Sequence, residues 1–293
     1  MTFGREVDQA ASVPIIRRAL DAGINFFDTA DVYGRGASEE IVGRALKEVR
    51  ERVVIASKFY GVMGDAPNDR GASRYHIMNA VNASLRRLQT EWIDLYQIHR
   101  FDAETPLEET LRALDDLVRA GKVRYIGCSN FAAWQIVKAL WISDLEHLNK
   151  FVSVQPRYNL VFREPESDLL PMCQSEGIAV IPYSPLGGGF LTGKYQPNAQ
   201  PPADSRLAKQ ENYKSIYAKE KNYRVVDALA KYAAQRGAPK EQLAIAWVMS
   251  HPAVTAPIIG ARTVAHLETA LAARELEMTQ EEREMITKLA DEA

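Results

Sequence analysis

The chain has 293 residues, 46% apolar and 25% charged, with a formal net charge of -2. That content supplies a sizeable core and excludes whole-chain disorder. The near-neutral balance, without a Lys/Arg block, gives no electrostatic footprint for nucleic acid or an anionic membrane. No apolar run approaches membrane-spanning length, and Arg5, Glu6, Asp8, Arg17 and Arg18 occupy the stretch where a signal-peptide core would lie. Cys128 and Cys173 stand in no metal-type spacing and suggest no disulfide framework, which suits a reducing, cytoplasmic protein whose partners are small molecules.

Short apolar runs alternate with longer helical patterns. A helix with Ile16, Ala19 and Leu20 on one face closes at Gly23, and a strand from Ile24 to Asp28 follows. Ser38 is the expected cap of a helix that carries Glu39 and Glu40 in its first turn, leading to a strand from Val53 to Ser57. A helix from about Ser73 precedes strand Ile93 to Ile98, and Thr105-Pro106-Leu107-Glu108 reads as a capping box with proline at the first helical position. Strand Val123 to Gly127, a helix over Trp134 to Leu148, strand Phe151 to Val154, a helix around Leu169 and strand Ile178 to Ile181 continue the alternation. Gly187 to about Lys219 breaks it with a Gly-, Pro-, Gln- and Asn-containing loop of lid character. Helices over Tyr223 to Gln235 and Pro239 to Ser250, strand Val254 to Ile259, and helices capped by Thr263 and Thr279 complete the chain. Trp134, Trp141 and Trp247 lie in helical patterns and are expected in the core.

Continuous apolar strands, each followed by a helix, imply a parallel sheet covered on its outer face. Seven are read here, and Met1-Thr2-Phe3-Gly4 resembles the tail of an eighth, so the expected fold is α/β, a (β/α)8 barrel with a truncated first strand, as one domain over residues 1–293. A doubly wound sheet is the competing architecture. Gly34-Arg35-Gly36 lacks the third glycine of a dinucleotide fingerprint, and Gly187-Gly188-Gly189 opens the lid loop rather than a strand-to-helix turn.

In a barrel of this kind, chemistry gathers at the carboxyl ends of the strands. Asp28 and Tyr33 follow one strand, Lys58 the next and His99 the next, while later ends offer Ser129, Asn130, Gln155, Tyr183 and Arg262. A clustered Tyr, Lys, Asp and His suits proton donation to a carbonyl oxygen. A neighbouring ammonium favours the phenolate and makes the phenol a better acid. Lys58 would tune Tyr33, Asp28 would keep Lys58 charged, and His99 would orient the carbonyl.

Across nearly the whole chain these residues resemble the aldo-keto reductase family. The matching pieces are Phe27-Asp28-Thr29-Ala30 with Tyr33-Gly34, Ser57-Lys58, Gln97-Ile98-His99, Gly127-Cys128-Ser129-Asn130-Phe131, Val154-Gln155, Tyr183-Ser184-Pro185-Leu186 and Ile259-Gly260-Ala261-Arg262. The resemblance implies a (β/α)8-barrel reductase that uses NADP(H) to convert aldehydes and ketones to alcohols, with Asp28, Tyr33, Lys58 and His99 as the catalytic tetrad. It implies that Ser129, Asn130 and Gln155 hold the nicotinamide carboxamide and that Tyr183 stacks on the ring. Lys194 resembles a pyrophosphate contact and Arg206 and Arg262 partners of a 2'-phosphate, with Leu186, Gly188 and His266 completing the cofactor set. His266, Thr269 and Ala270 stand where members often carry Gln, an acid and Asn. An NADPH-binding regulatory subunit and an inactive truncated reductase are the alternatives to an active enzyme.

Overall fold

A computed structural model describes residues 2–293. In chain order the elements are α1 (Gln9–Asp21), β1 (Phe26–Asp28), α2 (Ala37–Leu46), β2 (Val54–Phe59), α3 (Arg74–Leu88), β3 (Ile93–Ile98), α4 (Leu107–Arg119), β4 (Val123–Ser129), α5 (Ala133–Leu145), β5 (Phe151–Gln155), α6 (Leu169–Glu176) and β6 (Ala179–Val180). They continue with α7 (Arg206–Lys209), α8 (Glu211–Tyr217), α9 (Glu220–Arg236), α10 (Lys240–Met249), α11 (Val264–Ala272) and α12 (Gln280–Glu292). The strands lie in sequence order from β1 to β6, and the pairings from β1 through β5 are all parallel, as strand–helix alternation requires.

The chain divides into two compact units, the first comprising Met1–Pro156, Met172–Ala179 and Gly260–Leu267. Its centre is β3, every residue of which is buried, as a strand covered on both faces must be. Register pairs Asp28 with Ala56, Lys58 with Gln97, Gln97 with Gly127 and Ser129 with Gln155. Polar residues from successive strand ends therefore reach one level. Gly127 is required there, because a Cβ would lie 2.5 Å from Ser153 Oγ. At the opposite strand ends, Trp92 lies between the guanidinium groups of Arg50 and Arg124, 4.4 and 4.6 Å from the ring centroid. Its indole N–H donates to Asp94 Oδ1 at 3.0 Å, and Asp94 Oδ2 accepts from Ile55 N at 2.9 Å.

Several local expectations are corrected. Ser38 does not cap α2: Gly36, in the left-handed region at φ 94°, occupies the cap position, and buried Ser38 instead accepts from Thr29 Oγ1 at 2.9 Å. Thr105 makes no capping box, because α4 begins at Leu107 and the Thr105 hydroxyl donates to Asp102 at 2.8 Å. Lys58 lies within β2 rather than beyond it. Trp134 and Trp141 are 61% and 60% exposed, not core. The helix is apolar nearly all round, and Ile136, Ala139, Leu140 and Ile142 win the inward face. Met1 lies outside the described residues, and Phe3 forms an isolated parallel bridge with Val7.

The second unit comprises Arg157–Pro171, Val180–Ile259 and Glu268–Ala293. The expected strand Val254 to Ile259 is reduced to isolated bridges of Val254 with Val180 and of Ile258 with Tyr183. Pro257 has no N–H to give a ladder; Thr255 N donates to Val180 O and Ile258 N to Pro182 O, each at 2.8 Å. The lid segment is ordered into a 3-10 turn over Gly187–Thr192 and helices α7 and α8. Buried Arg283 on α12 holds this unit together: it stacks 4.2 Å from the Trp247 ring and donates to Trp247 O at 2.6 Å and to Tyr158 Oη at 2.9 Å.

The tightest helix contact gives a stability prediction. A Cβ at Gly43 on α2 would meet the backbone oxygen of Leu88 at 2.3 Å, and backbone cannot rotate aside as a side chain can. Gly43→Ala is expected to lower stability by about 1–3 kcal/mol, the usual cost of overpacking. Equilibrium urea unfolding measures it, and an unchanged midpoint would contradict the contact.

Candidate active site

In the first unit, β1 ends at Asp28 and β2 carries Lys58 two residues further along the paired register, which brings carboxylate and ammonium together. Lys58 is wholly buried, and an ammonium there is tolerable only if all its donors are used. They are: Nζ donates to Asp28 Oδ1 at 2.7 Å, to Asp28 Oδ2 at 2.6 Å and to Thr29 O at 2.9 Å. Burial nevertheless pulls Lys58 below its ordinary value, with Asp28 opposing that pull.

The turn after β1 presents Tyr33. Asp31 N donates to Lys58 O at 3.1 Å and Tyr33 N to Ala30 O at 3.1 Å, which places the Tyr33 ring with its centroid 5.1 Å from Lys58 Nζ. His99, just past β3, packs edge-on to Tyr33 with ring centroids 5.7 Å apart. Asp28, Tyr33, Lys58 and His99 therefore form one cluster. Burial, together with the positive charges of Lys58 and Arg100, pulls His99 down to about 3, so at neutral pH it is an uncharged imidazole. It can offer a hydrogen bond without carrying charge.

Ser129, Asn130 and Gln155 lie beside the tetrad with some of their polar groups already engaged. Gln155 Nε2 donates to Asp28 Oδ1 at 2.8 Å, and Ser129 Oγ donates to Gln155 O at 2.7 Å. Asn130, in the left-handed region at φ 56°, donates from Nδ2 to His99 O and to Ser129 Oγ, each at 3.0 Å. Sequence reading missed two contributors. Gln97 Nε2 lies 3.5 Å from Asp28 Oδ1, and its position two residues before His99, on the same strand face, was the available signal. Asp31 is fully buried beside the site, and only its place in the turn marked it.

Arg262 and His266 also belong to the first unit. Arg262 Nε is 4.0 Å from Glu6 Oε2, and the exposed His266 donates its backbone N–H to Thr263 Oγ1 at 3.1 Å. Tyr183, Leu186, Gly188, Lys194 and Arg206 belong to the second unit. There Arg157 lies 5.6 Å from the Tyr183 ring centroid, and Arg206 lies 5.5 Å from that of Tyr213. Leu186 leads into Gly187, Gly188 and Gly189, all at positive φ. Gly189, at φ 90° where a side chain would be strained, leaves its backbone beside Lys194, whose Nζ would be 2.9 Å from a Cβ there. The first unit thus presents amide and hydroxyl groups at its strand ends, and the second sets Lys194 and Arg206 beside glycine backbone.

A sequence model described as the Aldo/keto reductase family matches residues 1–291. The chain belongs to the aldo/keto reductase family. Its relatives include versiconal hemiacetal acetate reductase of Aspergillus parasiticus, 40% identical over 95% of this chain and 86% of that protein. The uncharacterized oxidoreductase YrpG of Bacillus subtilis is 38% identical over 99% of this chain and 90% of its own. A probable voltage-gated potassium channel subunit beta of Oryza sativa subsp. japonica is 40% identical over 89% of this chain and 81% of its own. The α/β succession seen here is that of a (β/α)8-barrel family whose members are oxidoreductases that generally use NAD(P)H. Among the described residues of this aldo/keto reductase, no helix is long and apolar enough to cross a membrane.

The ion pair generates a prediction with a pH signature. Asp28→Asn leaves the Lys58 ammonium buried without its partner, a change that costs about 3–5 kcal/mol in comparable buried pairs. In the variant the folded state gives up the Lys58 proton at lower pH than the unfolded state does. Between those two values the unfolded chain binds more protons, so variant stability rises with pH. Urea unfolding at pH 7 and pH 9.5 should show the deficit shrinking at the higher pH.

His99 gives the opposite window. Its folded value of about 3 lies below the ordinary imidazole value of 6.5, so as pH falls through that interval the unfolded state takes up the proton first and stability is lost. His99→Gln should flatten the fall in melting temperature between pH 6.5 and 3, measured by calorimetry on both proteins.

Proposed function

We propose that the protein is an NADPH-dependent reductase of aldehydes and ketones, acting through Tyr33 as proton donor. The observation that carries this reading is the convergence of Tyr33, His99 and the buried Lys58–Asp28 pair on one strand-end cluster. When bound, the nicotinamide would supply hydride for the carbonyl carbon; the chain's own residues manage the oxygen.

As negative charge develops on the carbonyl oxygen, the Tyr33 hydroxyl delivers the proton. The Lys58 ammonium stabilises the phenolate left behind, and a phenol that ordinarily titrates near 10 becomes a usable acid. Asp28 holds the ammonium in place with two hydrogen bonds, and Gln155 and Gln97 support the carboxylate in turn. Neutral His99 donates a hydrogen bond to the same carbonyl oxygen and orients it. An imidazole this hard to protonate adds no competing acid at neutral pH.

For the cofactor, Ser129, Asn130 and Gln155 are the proposed carboxamide partners and Tyr183 the ring platform. Engaging Gln155 with the carboxamide uses the polar capacity left over by its bond to Asp28. Lys194, beside Gly189, is the proposed pyrophosphate contact, with Leu186 and Gly188 in the same turn. Arg206 and Arg262 are the proposed partners of the 2'-phosphate, a role suited to a planar fork of donors, and His266 borders the adenosine. Their charges favour NADP(H) over NAD(H). The proposed working unit is the whole chain, as a cytoplasmic enzyme.

The kinship with a probable channel subunit favours a second reading, in which NADPH binding regulates a partner. Tyr33→Phe separates the two. Removing a general acid costs about 10²–10⁴ in rate, so aldehyde-dependent loss of NADPH absorbance should fall by that factor while NADPH titration by fluorescence gives the same Kd. A parent protein that binds NADPH but turns over no carbonyl from a broad aldehyde and ketone panel would favour the regulatory reading.

A further inference from the structure

Behind the tetrad, on the helix-facing side of β2, lies a second group of buried charges that the proposed reaction does not use. Glu39, from the first turn of α2, is fully buried. It accepts from Ser57 Oγ at 2.5 Å and from Arg87 Nε at 2.6 Å, so both its oxygens are engaged. Ser57 is the residue immediately before Lys58, and its side chain points to the opposite face of the strand. Asp31 is fully buried in the same place. Its Oδ1 accepts from Val32 N at 2.6 Å, whereas its Oδ2 is enclosed without a hydrogen-bond partner.

An unpartnered buried carboxylate oxygen is costly, and natural proteins retain such a group only where something offsets it. Asp31 has two links to the chemistry. Its backbone N–H is fastened to Lys58 O at 3.1 Å, and its carboxylate bonds the backbone of Val32, next to Tyr33. The ionisable groups that act on it come from three elements, Glu39 on α2, Arg87 on α3 and Lys58 on β2, and Tyr96 on a fourth, β3, feels the Asp31 charge in return.

We propose that Asp31 is a positioning residue of this reductase, whose buried carboxyl sets the charge of Lys58 and the turn that presents Tyr33 according to its own protonation. The proposal rests on the tetrad reading above. Protonated, the carboxyl is neutral and only Asp28 and Glu39 support the lysine. Ionised, it adds a third negative charge to the field of Lys58 and strengthens its bond to Val32 N.

The direction of its titration supports this geometry. Burial, with the neighbouring Glu39 charge adding to it, pushes Asp31 up to about 7, against the Val32 hydrogen bond and the Arg87 and Lys58 charges. His99, down at about 3, is already neutral throughout the physiological range. The group beside the site that changes charge near neutrality is thus a carboxyl and not the imidazole.

The test compares the full-length parent with Asp31→Asn, which mimics the protonated carboxyl in shape, and with Asp31→Glu. In log(kcat/KM) against pH, the parent should show an inflection near neutrality that Asp31→Asn lacks. The alkaline limb of Asp31→Asn should move down by about 0.5–1 pH unit, so the parent-to-variant ratio grows about three- to tenfold between pH 6 and pH 9. Asp31→Glu should restore part of the inflection. Superimposable profiles of parent and Asp31→Asn would overturn the proposal.

Carbon-13 NMR tests it without turnover. The Asp31 carboxyl should titrate near neutrality, and the Lys58 ε-carbon midpoint should fall by about 0.5–1 unit in Asp31→Asn. If Asp31→Asn fails to fold, Glu39→Gln replaces it, and the Asp31 midpoint should then move acidward. An unmoved midpoint refutes the coupling. A parent without carbonyl turnover that still shows the carboxyl–lysine coupling would remove the reductase reading and leave Asp31 as the control of Lys58 charge. Absence of the coupling in an active parent would remove the Asp31 proposal alone.

Discussion

The site depends on one buried cation. Lys58 is enclosed completely, and an ammonium without water must find every hydrogen bond inside the protein or lose its proton. The two oxygens of Asp28 and the carbonyl of Thr29 meet that demand, all from the end of β1 and the residue after it. The parallel pairing of β1 with β2 is what places acceptor and donor within reach, so the charge that lies beside the Tyr33 ring is a consequence of sheet register. A slip of one residue would turn Lys58 to the helix-facing side and leave Asp28 without it.

Charge on one face of β2 is balanced by charge on the other. Ser57 points outward to Glu39, and Glu39 pairs with Arg87 across α2 and α3. Arg87 also occupies the space a side chain at Gly36 would fill, and Gly43 lets α2 press against the end of α3. Close helix packing and a dry carboxylate group are thereby the same structural fact. Where helices approach this closely, water is excluded, and Asp31 inherits a low-dielectric setting that raises its proton affinity.

Much of the first unit was legible in the chain. Strands β1 to β5 were visible as apolar runs, and the strand-end rule brought Asp28, Tyr33, Lys58 and His99 to one place, because in a parallel sheet residues following successive strands share an edge. Misreadings came where a local signal met a competing partner. Ser38 and Thr105 had the composition of caps, yet Thr29 and Asp102 took their hydroxyl groups. The α5 tryptophans looked like core because an evenly apolar helix carries no periodic signal of which face turns inward. The last strand failed at Pro257, where an apolar run concealed a missing donor.

What the sequence by itself determined was the order of elements and the identity of the ionisable residues at their ends. Both follow from short-range rules: side-chain periodicity, the turn residues after each helix, and the chemistry of four side chains. Only the tertiary structure decided which of those residues are dry and whom they touch. Gln155 donates to Asp28, 127 positions away in sequence, and Asp31, outwardly an ordinary turn acid, is sealed beside Glu39 with one oxygen unpaired. Proton affinities in the site follow from desolvation and from charges brought close by packing, and neither quantity exists until strands and helices from distant parts of the chain have met.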